Sequence, residues 1–195
     1  MKTHCFAFRT VLFFLLTSLI SLNSEARLDK ATWLVGGSGS FSSTTNTFNS
    51  GSINLNSDVT EINITPNVGY FVLDKFAAGL KLSYTVSKTK EFQGAYGNQQ
   101  RFDIGPFARY YVLDKEKIFN ILTDASYQFG FSNLTGLKGN SSTMTFMAGP
   151  SLYFNSSVGL EFLFGYYNRK EWFDGIDSQQ KGLKVSLGFQ FHIEK

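Results

Sequence analysis

The chain has 195 residues, enough for one domain with a continuous hydrophobic core. Charged residues make up only 17% of it and aromatic residues 16%, with 18 glycines, which favours an all-β protein over a disordered chain or a helical enzyme. The formal net charge is +3 and there is no basic run, so the electrostatic footprint of a nucleic-acid-binding protein is missing. We therefore expect one all-β domain that does not bind nucleic acid.

The start of the chain has the pattern of a secretory signal peptide. Lys2 and Arg9 precede a short apolar run, and Ala26 closes a small-x-small cleavage site. The run is shorter than the ~20 residues that a membrane-spanning helix needs. We predict a signal peptide over residues 1–26 and a mature domain over 27–195.

The predicted mature domain has few groups suited to catalysis or metal binding. Removal of the signal peptide takes away Cys5 and leaves His192 as the single histidine. Disulfides, thiol nucleophiles and Cys/His metal sites are thereby excluded, and the sequence has no phosphate-binding Gly-rich loop and no EF-hand spacing. A Ser-His esterase would have to use His192 at the end of the last strand. We expect no enzymatic activity, no cofactor and no bound metal.

A repeated segment indicates a series of hairpins. Pro66–Lys75 is echoed by Pro106–Lys115, with Val-Leu-Asp-Lys at the same place in both. Period-two alternation of apolar and polar residues then divides the mature chain into eight strands. They are predicted at Thr32–Ser43, Thr60–Val72, Ala77–Lys88, Arg101–Val112, Phe119–Phe131, Thr143–Phe154, Gly159–Asn168 and Gly182–Ile193.

The connections between these strands alternate in length. The turns near Asp74, Asp114 and Asn155 are short, and four other stretches are long and polar. We predict loops at Ser43–Val59, Thr89–Gln100, Ser132–Ser142 and Lys170–Lys181. The pattern predicts an eight-stranded antiparallel up-and-down transmembrane β-barrel, because barrels of the bacterial outer membrane have short turns at one end and longer loops at the other.

Alternation does not decide by itself which face points into the barrel, since a soluble barrel has its apolar face inside and a membrane barrel has it outside. The polar face combines glycines with four cations and four anions, Glu61 among the anions, which suits a narrow closed interior. We therefore expect the apolar face to contact lipid. The interior is predicted to hold a charge network of Lys81, Arg101, Asp103, Arg109, Asp124, Glu161 and Lys184. A soluble periplasmic lipid-binding barrel, with the faces reversed, is an alternative.

Several segments resemble a known family. Thr65–Val72 and Gly105–Tyr111 are similar to segments of the small outer membrane β-barrel proteins of the OmpA and OmpX type, in variants common in the Bacteroidetes. The resemblance covers Thr32–Ile193. It implies insertion into the outer membrane by the barrel assembly machinery, with outer membrane lipid and lipopolysaccharide as neighbours. Many such barrels end in an aromatic residue, whereas this chain continues past Phe191 to Lys195.

The function expected from this pattern is non-enzymatic. We interpret the protein as an integral outer membrane barrel that displays surface loops, with an envelope-structural or surface-interaction role and a surface partner that the sequence does not name. Trp172 and Phe173 are candidates for surface recognition, although aromatic residues also anchor in lipid headgroups. A narrow polar channel is an alternative, but an eight-stranded barrel is just wide enough for side chains to fill.

Three prolines fall inside the predicted strands. Pro66, Pro106 and Pro150 have no backbone N–H, so each removes one donor from a strand ladder. We expect a bulge or a lost hydrogen bond at each.

Overall fold

The computed structural model of the protein describes residues 28–50, 53–90, 96–114, 117–134, 136–173 and 176–194. Over these residues the chain forms eight strands: β1 Trp33–Ser50, β2 Ile53–Leu73, β3 Phe76–Lys90, β4 Tyr96–Tyr111, β5 Phe119–Leu134, β6 Leu137–Tyr153, β7 Val158–Phe173 and β8 Ile176–Ile193. Each strand pairs antiparallel with the next, and β1 pairs with β8 to close the barrel. The predicted all-β, eight-stranded up-and-down barrel is confirmed. In the described part of the chain no helix is long and apolar enough to span a membrane.

The strands are longer than the sequence predicted, and the four long loops are wrong. β1 and β2 stay paired as far as Ser50 and Ile53, and β7 and β8 as far as Phe173 and Ile176. The stretches that the sequence assigned to loops are mostly paired strand. Backbone hydrogen bonds can continue through a hairpin whose side chains are polar on both faces. The apolar-polar alternation is absent there, so the sequence pattern does not reveal the strand.

The apolar face of the barrel points outward. On β2, Ile62 and Ile64 are 54% and 58% exposed, and the residues between and after them, Asn63 and Thr65, are buried. The same alternation holds on the other strands over most of the residues whose side chains are described. This is the reverse of a soluble barrel whose apolar face lines an internal cavity.

The three prolines interrupt the ladder without shifting it. Pairing of β2 with β3 skips from Ile64 to Asn67 and resumes in the same register. The pairing of β4 with β5 is likewise interrupted at Pro106, and that of β6 with β7 at Pro150. A lost hydrogen bond at each proline is confirmed, and a bulge is not formed.

Glycine precedes two of these prolines for a steric reason. A Cβ atom on Gly105 would lie 2.0 Å from the Tyr127 carbonyl oxygen, and one on Gly149 would lie 1.9 Å from that of Phe162. The backbone of the next strand therefore occupies the space of a side chain, and only glycine fits.

The end of the barrel with the short turns is filled by apolar side chains. Leu28 is buried there, and its carbonyl oxygen accepts a hydrogen bond from the Lys75 N–H at 2.7 Å. The buried apolar residues, here called the apolar plug, are Leu28, Leu34, Phe71, Ala77, Phe107, Tyr111, Leu122, Met147, Tyr153 and Leu163. The plug closes this end of the interior.

Candidate functional site

The interior next to the plug has four buried charged side chains, here called the inner quartet: Lys81, Arg109, Asp124 and Glu161. Arg109 lies directly opposite Asp124 in the β4–β5 ladder, and its Nε donates to Asp124 Oδ2 at 3.0 Å. Its Nη1 donates to Glu161 Oε1 at 2.8 Å. Lys81 donates to the other oxygen of Asp124. Arg109 therefore connects the two buried carboxylates.

A second charged group, here called the outer sextet, lies nearer the long hairpins. Its members are Glu61, Arg101, Asp103, Arg169, Glu171 and Lys184. Arg101 donates to Asp103 at 3.1 Å and to Glu171 at 3.0 Å. Arg169 makes two hydrogen bonds to the Glu61 carboxylate, at 3.0 and 3.2 Å. The Arg101–Glu171 and Arg169–Glu61 bonds connect side chains from strands that are not neighbours, whereas Arg101 and Asp103 are both on β4.

Both groups are electrically balanced, because each contains as many cations as anions. Removal of a charge from water costs several kcal/mol, so a buried group of this kind is tolerated only when its members pair. The arrangement crosses the interior at two levels and ties opposite walls of the barrel together.

The seven charges predicted for the interior divide between the two groups. Lys81, Arg109, Asp124 and Glu161 come together in the inner quartet, and Arg101 and Asp103 pair in the outer sextet. Lys184 donates to Asn63 Oδ1 at 2.7 Å rather than to a carboxylate.

Arg169 and Glu171 were missed by the sequence analysis. The alternation predicts that the seventh strand ends at Asn168 and that a loop follows. Since β7 continues to Phe173, the inward parity that begins with Glu161 extends to both residues. The odd-numbered positions after Glu161 carry this pattern as far as Glu171. It is hard to recognise in the sequence because the positions between them are no longer all apolar.

Trp172 and Phe173 point to opposite faces of strand β7. Successive side chains of a strand point to opposite faces: Trp172 is 41% exposed on the outside, whereas the Phe173 ring occupies the space beside Gly139 that a Cβ would fill. Both residues are in strand β7, next to the hairpin turn. The joint assignment to a loop is wrong because the strand continues through them.

His192 lies in the plug, among the rings of Phe71, Tyr111 and Tyr153, with centroid distances of 5.6, 6.1 and 5.5 Å. Neither of its ring nitrogens has a hydrogen-bond partner in the described part of the chain. Across the same residues no cluster of three or more His, Cys, Asp or Glu side chains has a geometry that could hold a metal ion.

The short turns are joined at the surface by an ion pair. Lys75, in the β2–β3 turn, donates to Asp114, in the β4–β5 turn, at 2.5 Å. This hydrogen bond raises the pKa of the Lys75 ammonium and lowers the pKa of the Asp114 carboxyl. Both groups lie in turns, outside the strands.

Comparison with known proteins adds one likeness of shape. No protein-family model matches the chain, and no curated protein matches it in sequence. Among solved structures it is similar to the crystal structure of Neisserial surface protein A, with 12% identity over 83% of this chain and 97% of that chain, and a TM-score of 0.49. The function has therefore to be argued from the geometry of the barrel.

Proposed function

We propose that the protein is an integral barrel of a bacterial outer membrane, with its short turns toward the periplasm and its four long hairpins outside. The outward apolar belt is the observation that supports this most directly. On β2 the belt runs from Ile62 to Val72, about 33 Å along the strand at ~3.3 Å per residue. A strand tilt of ~40° reduces this to about 25 Å along the barrel axis, the height of the apolar band of outer-membrane barrels.

Aromatic residues at both borders of the belt support the same placement. Tyr110 and Phe119 are exposed near the short turns, and Tyr84 and Tyr166 are exposed at the opposite border. Amphipathic rings at these levels are typical of membrane-water interfaces.

Lipid and lipopolysaccharide are the proposed neighbours of the belt, and the barrel assembly machinery is the proposed route of insertion. Beyond the aromatic border, lysines face outward on the hairpins at positions 88, 90, 138, 170 and 181. Of the acidic side chains on these hairpins, Glu61, Asp103 and Glu171 face inward, whereas Asp177, opposite Trp172, is exposed. The outward-facing lysines favour contact with the phosphates of outer-leaflet lipid.

The role we propose is non-enzymatic: the barrel supports the envelope and displays its hairpins for surface interaction. An open diffusion pore is disfavoured because the inner quartet and the plug cross the interior. Reconstitution in planar bilayers should give no discrete conductance, and stable single-channel steps would favour the narrow channel.

A lipid-facing substitution tests the membrane placement. Leu80 is 52% exposed at the middle of the belt, opposite Val68. We expect Leu80→Arg to destabilise the barrel in lipid vesicles by about 2–4 kcal/mol, measured by urea unfolding. Gln100→Arg, on the exposed hairpin above the belt, is the matched control and should have little effect.

The same preparation should show heat-modifiable electrophoretic mobility in the outer-membrane fraction. Recovery of the protein in the soluble periplasm, or equal effects of Leu80→Arg and Gln100→Arg, would contradict the proposed placement.

Trp172 is the proposed contact residue of the β7–β8 hairpin. It lies about 20 Å along the strand beyond Tyr166 at ~3.3 Å per residue, above the level of the aromatic border. The chain has two tryptophans, so Trp33→Phe leaves Trp172 as the single reporter. Acrylamide should quench its fluorescence strongly and brominated lipid weakly; the opposite order would show an anchor in lipid headgroups.

A further inference from the structure

The barrel wall is incomplete between its first and last strands. Pairing of β1 with β8 ends at Gly39 and Leu187, although β1 continues to Ser50 and β8 begins at Ile176. Other neighbouring strands stay paired into their hairpins. At the end of this pairing, Ser186 Oγ donates a hydrogen bond to the Gly39 carbonyl at 3.5 Å. The upper part of the wall therefore has a lateral opening, here called the seam.

A cavity of about 150 Å³ lies behind the seam. Its polar lining includes Glu61, Thr143, Arg169 and Lys184, all from the interior face. Its mouth is lined by Phe41, Leu183 and Val185. The cavity thus connects the outer sextet with the outer surface of the belt.

Several hydrogen-bond donors at the cavity have no acceptor in the described part of the chain. Arg169 Nε and Thr143 Oγ1 are buried and have no partner in the described part of the chain. The Lys184 ammonium has three donors, of which one is used on Asn63 in the same set of residues. Buried donors without partners are costly, and those of Arg169 and Thr143, together with the unused donors of Lys184, favour a ligand with several acceptor oxygens in this space.

The mouth has the opposite character. Phe41, Leu183 and Val185 are 66%, 74% and 64% exposed, which places them among the most exposed apolar side chains of the barrel. Leu183 lies opposite Tyr166 in the β7–β8 ladder, so the mouth is at the level of the outer aromatic border. A ligand with an oxygen-rich head in the cavity would therefore place its apolar tail along the outer wall of the barrel.

We propose that the seam is a lateral binding site for an anionic amphiphile of the outer leaflet, with its phosphate or carboxylate head in the cavity and its acyl chain on the mouth. The volume fits a head and not a whole lipid, since a cavity of this size in another protein accommodates one benzene ring. This rests on the proposed membrane placement, which the Leu80→Arg experiment tests separately.

The binding test uses the full barrel in phosphatidylcholine nanodiscs with spin-labelled phosphatidic acid or spin-labelled phosphatidylcholine as probes. We expect phosphatidic acid to associate at least tenfold more strongly. Lys184→Gln should abolish this preference. Lys181→Gln, which removes an exposed lysine from the outward face of the same strand, should keep it. An equal loss of the phosphatidic acid preference in Lys184→Gln and Lys181→Gln would overturn the proposed binding site. So would the absence of this preference in the unmodified barrel.

A reversible crosslink tests the seam itself. If the β1–β8 ladder continued in its register, Phe41 would face Val185. A Phe41→Cys/Val185→Cys barrel should lose the preference when oxidised and recover it when reduced, so the reduced form controls for folding. Unchanged phosphatidic acid binding in the oxidised form would place the lipid elsewhere. Displacement of the probe by inorganic phosphate at micromolar concentration would show a site for a free anion and contradict the amphiphile.

Discussion

The two halves of the interior differ in how they are closed. Near the short turns all neighbouring strands are paired, β1 and β8 included, Leu28 folds under the barrel, and the inner quartet is enclosed by the apolar plug. Near the hairpins the same eight strands leave a seam between β1 and β8, and the outer sextet borders a cavity. Inward and outward residues alternate along the strands in both halves. Whether a half is sealed or accessible therefore depends on which side chains fill its interior.

The largest expected difference between the halves concerns their arginines. Arg109→Met would leave Glu161 with only the Tyr111 hydroxyl and Asp124 with only Lys81 among the contacts described. We expect a loss of about 3–5 kcal/mol in the free energy of unfolding, because a buried charge is left uncompensated. Urea unfolding in lipid vesicles measures it.

Arg169→Met is the matched variant in the accessible half. Glu61 would keep the Ser87 hydroxyl at 3.2 Å and lies beside the open cavity, so we expect a loss of only about 1–2 kcal/mol. Equal losses of unfolding free energy in Arg109→Met and Arg169→Met would contradict the distinction between a sealed and an accessible half.

Packing of the plug gives the next effect. Leu122 is fully buried, so Leu122→Ala should cost about 3 kcal/mol through lost burial and the cavity left behind. Leu137→Ala, at the exposed end of the β5–β6 hairpin, should stay within about 0.5 kcal/mol. Comparable costs for both leucines would mean that the plug is loosely packed.

The smallest effect is expected at the turn ion pair. Lys75 lowers the pKa of Asp114, so the pair stabilises the turns above the unfolded pKa of that carboxyl, and this contribution is lost as pH falls through the folded pKa. Asp114→Asn should remove that pH dependence with little change in thermal midpoint at neutral pH, because both groups are solvent-exposed. A large shift of the midpoint at pH 7 would contradict this view.

The sequence by itself determined the strand count, the up-and-down order and the inward-facing charges on strands with strong alternation. Residues at every second position of a strand share one face, so Glu61, Arg109 and Asp124 follow by parity once the polar face is placed inside. The lost hydrogen bonds at the prolines were equally predictable, because a missing N–H is a local property.

The tertiary structure alone decided where the strands end, which charges meet, and where the wall opens. Arg169 and Glu171 face the interior because β7 stays paired with β6 and β8 through a polar stretch of the sequence. Arg109 reached Glu161 across the barrel, a contact that no local pattern encodes. The seam arises because β1 and β8 are distant in sequence and meet only on closure, so their register and extent depend on the geometry of all eight strands.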